Sequence, residues 1–212
     1  MNQEIYDSIL DALDNENLEL LQILFRDNNL SPSDKLYDAP RLTDTEILLE
    51  TYLDYVLYYN LKTIIDFLVD EKGLEITDNI MARALELQNT DTFNYFIEMG
   101  YYPSLESLSM AIKHCYSAQI ETILNINNST YNNELIHTIT DDTIEYLFSF
   151  DMNEETIETI RVLFNYGINK CLFSKYLNIL KNPGENQYEI SPEEEDIAIE
   201  IIDFLESHLV PE

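Results

Sequence analysis

The sequence predicts an all-α fold: a solenoid of about six helical hairpins, closed by a C-terminal pair of capping helices. Three observations predict it. Glycine and proline, which helix interiors tolerate poorly, number only four and six in 212 residues. An apolar dipeptide followed by a polar turn recurs along the chain. A small or apolar residue recurs at a fixed distance before that dipeptide.

The dipeptides are Leu24-Phe25, Leu68-Val69, Phe96-Ile97, Ile123-Leu124, Leu163-Phe164 and Phe204-Leu205. Three residues before each stands Leu21, Ile65, Phe93, Ile120, Ile160 or Ile201. Spacing of i, i+3, i+4 puts all three apolar side chains on one helical face. Each segment therefore reads as the longer helix of a hairpin. The intervals between dipeptides are uneven, which points to insertions and deletions in loops or to a weak repeat.

A shorter helix is expected before the longer one. Twelve residues upstream of the dipeptide stand Ala12, Val56, Ala84 and Ala111, and three residues before these stand Ile9, Leu53, Met81 and Leu108. Small residues here let two helices approach closely. The bends fall near residues 15–17, 59–61, 88–90 and 115–117.

Local signals mark several boundaries. Thr43-Asp44-Thr45-Glu46 and Ser191-Pro192-Glu193-Glu194 read as capping boxes, in which a hydroxyl accepts from an orphan backbone N–H and a glutamate reaches back. Pro192 suits a first helical turn, and the acids from Glu193 to Asp196 suit the positive end of a helix dipole. Two proline-containing loops, 30–43 and 182–191, interrupt the pattern. The second separates a short helix near 172–181 from a final helix near 192–209. The expected organisation is a single domain with repeats over 1–170 and capping helices over 171–212. A terminal repeat needs a polar outer face, and Glu194, Glu195, Glu200, Asp203 and Glu206 are candidates to supply it.

The segments Ile9-Leu10-Asp11-Ala12, Met81-Ala82-Arg83-Ala84 and Leu108-Ser109-Met110-Ala111 resemble the Leu-His-x-Ala element of ankyrin repeats. Residues 17–25 and 60–69 resemble the second ankyrin helix. Gly100, Gly167 and, with an offset, Gly73 match the glycine that ends it. No unit keeps the family's Thr-Pro pair or its histidine, and the hairpin that follows is reduced to pieces such as Gly167-Ile168-Asn169. The resemblance covers about residues 5–170. The wear of the repeats and the abundance of Asn, Ile, Tyr and Asp are similar to ankyrin-like proteins of large DNA viruses of eukaryotes. That resemblance implies a binding function, with a host protein as partner.

Charge narrows the partner. Lys plus Arg is 11 against 41 Asp plus Glu, a net charge of −30. Such a surface repels nucleic acid, so direct DNA or RNA binding is not expected. It attracts a protein with a basic surface; acidity that serves only solubility is the competing reading. No run of the sequence reaches the roughly 18 apolar residues that cross a bilayer, and the acidic start of the chain is unlike a signal peptide. An intracellular protein, cytoplasmic or nuclear, is expected. The sequons at Asn127 and Asn128 carry no weight in that setting.

Residues for chemistry are sparse. Cys115 and Cys171 make no disulfide framework. His114, Cys115, His137 and Cys171 could be imagined around zinc, yet they lack the close paired spacing of zinc ligands. No phosphate-binding glycine loop and no nucleophile elbow occurs. Catalytic, cofactor-binding and metal-ligating residues are therefore assigned as none, with no cofactor expected. Tyr55, Tyr58, Tyr59, Tyr101 and Tyr102 are the residues most suited to an interface; packing between repeats is the competing reading. The chain reads as a non-enzymatic protein–protein interaction module. The alternative is an acidic nucleic-acid mimic that inhibits a DNA- or RNA-handling enzyme.

Overall fold

A computed structural model describes residues 3–35, 49–131, 134–149, 152–183 and 190–209. The described residues form twelve α-helices and no strand; an isolated antiparallel bridge joins Lys35 to Thr51. The chain divides into two compact units, 1–102 and 103–212. The stretch after residue 170 belongs to the second unit, together with 103–170.

The first unit holds α1 (Gln3–Asp14), α2 (Leu18–Asp27), α3 (Tyr52–Tyr58), α4 (Lys62–Asp70), α5 (Asp78–Glu86) and α6 (Thr90–Glu98). These are three consecutive hairpins. Within each, the two helices pack together, and neighbouring hairpins meet like against like, α2 on α4 and α3 on α5. The second unit holds α7 (Leu105–Lys113), α8 (Ser117–Tyr131), α9 (Asp141–Leu147), α10 (Glu154–Asn165), α11 (Ser174–Lys181) and α12 (Glu195–Leu209). Here α7 packs on α8 and α9, α10 on α8 and α12, and α11 on α12.

Four of the hairpins share one turn. At Glu16, Asn60, Gln88 and Cys115 the backbone takes the left-handed conformation, with φ of 47°, 53°, 59° and 56°. The next amide closes back on the first helix: Asn17 to Ala12, Leu61 to Val56, Asn89 to Ala84 and Tyr116 to Ala111, at 2.8–3.1 Å. The left-handed residue's own N–H reaches the carbonyl three positions back, at Leu13, Leu57, Leu85 and Ile112. This is the Schellman ending, which satisfies carbonyls that a helix leaves unpaired. The residue after it then opens the second helix. Asn17 and Asn89 accept there from the amides of Leu20 and Thr92.

The apolar pattern fills the core. Leu21, Ile65, Phe93, Ile120, Ile160 and Ile201 are all fully buried, as are Ala12, Ala84 and Ala111, and Val56 is nearly so. Each dipeptide sinks at least one member: both in Ile123-Leu124 and Leu163-Phe164, one in the other four. Leu53, expected beside Val56, is partly exposed, and its neighbour Tyr52 is buried in its place.

The C-terminal elements differ in detail from expectation. A 3₁₀ turn at Lys170–Phe173 precedes α11, and α12 begins at Glu195 rather than at Pro192. Glu194 is not on an outer face. It is 9% exposed, and its carboxylate accepts from the amides of Met152 and Ser191 at 2.8 and 2.9 Å. The bond to Ser191 is the reach-back half of the expected capping box. Glu195, Glu200 and Asp203 are exposed as expected. The box expected at Thr43–Glu46 lies outside the described residues.

Candidate functional site

The hairpins are tied to one another by polar side chains, and carboxylates carry most of the ties. In the first unit the buried Asp54 accepts from the amides of Glu50 and Thr51, both at 3.0 Å, and from Arg83 of the next hairpin at 2.8 Å. Burial would lower the Arg83 pKa, yet hydrogen bonds to Asp54 and Glu86 hold it above its ordinary value. Asn89 donates to the last carbonyls of α3, at Leu57 and Tyr58, and the Thr92 hydroxyl adds a bond to Leu57. Tyr95 donates to Asp66 of α4. That hydrogen bond, with desolvation, pushes its phenol up to about 12.

The candidate tyrosines divide between packing and exposure. Tyr55 is 7% exposed and donates to Asp14 of α1; desolvation and that bond raise its pKa. Tyr59 lies against it, with ring centroids 4.6 Å apart, and meets Tyr58 edge-on at 4.9 Å. Tyr59 thus packs against both other rings. Tyr59 at 47% and Tyr102 at 72% exposure are the members presented to solvent.

In the second unit, α8, α10 and α12 enclose a polar groove of about 490 Å³. Glu154 and Glu155 stand on the first turn of α10, where the helix dipole favours anions, and Glu158 follows one turn later. Glu200 faces them from α12, and Ile157 and Ile197 supply the apolar part of the lining. Among the described residues that line it, the one cation is Arg161, bonded to Glu200 at 2.5 Å and near Glu158 at 3.5 Å. All three members of that cluster are about half exposed to solvent. Chemically the groove is a cation-attracting surface with a local excess of carboxylates. In the sequence the Glu154-Glu155 pair reads only as acids at a helix start; the groove's residues come from three distant segments.

The imagined zinc ligands do not meet. Among the described residues no group of three or more His, Cys, Asp or Glu is placed to hold a metal ion. Cys115 sits half-buried at a hairpin turn, with Sγ 3.8 Å from the Thr156 hydroxyl, and burial pushes its thiol up, away from nucleophilic character. Asn127 is buried in α8, where its amide donates to the carbonyls of Pro103 and Ile123, so this sequon serves packing. Among the described residues no helix is long and apolar enough to cross a membrane.

Comparison with protein-family models, characterised proteins and solved structures finds no match to this chain.

Proposed function

We propose that the chain is a non-enzymatic protein–protein interaction module: a degenerate, ankyrin-like helical solenoid that binds a partner through the partner's basic surface. The observation that carries this reading is the groove between α8, α10 and α12, whose described lining holds four glutamates and one arginine, with Glu158 and Glu200 on Arg161. A lysine or arginine presented by a partner gains charge-assisted hydrogen bonds there, and the −30 charge of the chain speeds its approach. The likeness of the worn repeats to ankyrin-like proteins of large DNA viruses makes a host factor the first partner to seek.

The test is affinity purification from eukaryotic cell extract at low salt, with the wild-type chain beside a Glu154→Lys/Glu155→Lys double variant. Both positions are exposed, and circular dichroism checks that the variant folds although its lysines now oppose the α10 dipole. A specific partner is expected on the wild type and at least tenfold less of it on the variant. Equal recovery on both chains would remove the groove from the reading.

A second reading, the acidic nucleic-acid mimic, is favoured by one feature of the first unit. Glu4, Asp7, Asp11 and Asp14 are all exposed along α1. At 1.5 Å per residue they make a row with steps of about 4.5–6 Å, of the same order as the roughly 3.4 Å rise per phosphate of a DNA strand. The same row serves as the polar outer face that ends a stack of repeats. If mimicry is the function, the purified partner loses its nucleic acid when the chain binds, and Asp7→Lys/Asp11→Lys restores it.

A further inference from the structure

We draw no further inference here: the strongest candidate, the apolar groove of about 350 Å³ between α11 and α12 that is lined by Leu180, Pro183, Ile190, Ala198, Ile199 and Ile202, carries nothing, because nothing in the structure shows what covers it.

Discussion

Asp54 is a buried carboxylate that uses both of its oxygens. One oxygen accepts from two backbone amides and the other from Arg83. Asp54→Asn costs Arg83 one of its two carboxylate partners and turns an amide N–H donor toward groups that are themselves donors. Asp54→Asn is expected to cost about 2–3 kcal/mol, the range for breaking a buried charged pair while keeping its shape. Urea unfolding measures it; a loss under about 0.5 kcal/mol would place the pair among the weak surface contacts. Glu194 makes the complementary case through pH. Hydrogen bonds from Ser191 and Met152 outweigh desolvation and hold its carboxyl below the ordinary carboxylate range. A carboxylate with a lowered folded pKa stabilises the protein fully above its unfolded pKa of about 4.3, and that contribution fades as pH falls through the folded value. Glu194→Gln should lower stability at pH 7 and make little difference near pH 2. Unfolding free energies at the two pH values check the sign, and an equal loss at both would show that the carboxylate charge does not matter.

The hairpin turn sets the next scale. Its left-handed residue is glutamate, asparagine, glutamine or cysteine, although the conformation costs an L-residue other than Gly, Asn or Asp roughly 1–2 kcal/mol. Gln88 is exposed, with φ of 59°. Gln88→Gly relieves that strain, less the extra entropy glycine has when unfolded, and should raise stability by about 0.5–1 kcal/mol. Four residues earlier, Ala84 is fully buried at the close approach of two helices. Ala84→Leu overpacks that contact and should cost about 1–3 kcal/mol. Opposite signs for the two variants in one thermal melt series confirm the turn; a destabilised Gln88→Gly would refute it. The same comparison explains what the sequence could convey. Burial anchors and small contact residues were legible because a helix enforces fixed spacing, and in the four hairpins with the shared turn the distance from small residue to dipeptide is constant. The uneven dipeptide intervals come from segments outside the shared turns: 30–51 before α3, 132–140 and 148–153 on either side of α9, and 182–194 between α11 and α12. Helix α9 escaped prediction because its link to α10 is longer than the shared turn, which shifts the expected small residue to Asp151. Glu194 looked like a surface acid because its partner Met152 is 42 residues away. The groove was illegible for the same reason: Ser117, Glu155 and Glu200 converge only when α8, α10 and α12 stack.

At the scale of the whole molecule, charge is the term that conditions can vary. Half of the ten basic side chains of the described structure are answered by ion pairs: Arg26 by Asp27, Arg83 by Asp54 and Glu86, Arg161 by Glu158 and Glu200, Lys175 by Asp141 and Glu145, and Lys181 by Glu206. What remains of the −30 is carboxylate, and both units share the excess about equally. Two salt effects then oppose each other. Screening weakens these pairs, of which all but the Asp54 pair are largely exposed and worth about 0–1 kcal/mol each. Screening also relieves repulsion among the unanswered carboxylates, which net charge far from zero imposes on a compact state. The second effect is larger, because like-charge neighbours greatly outnumber the pairs. Raising NaCl from about 0.02 M to 0.5 M shortens the screening length from roughly 20 Å to about 4 Å. The melting temperature is expected to rise by several degrees, equivalent to about 1–2 kcal/mol. Differential scanning calorimetry at the two concentrations, with an isosmotic sugar control to separate screening from solvent exclusion, decides it. A fall in melting temperature would mean that surface ion pairs, and not the surplus of acid, dominate the electrostatics of this fold. The same measurement bears on binding, since a protein that is more stable in 0.5 M salt can be washed there without unfolding. Loss of a captured partner in that wash then reports screened attraction between the two proteins, with the chain itself intact.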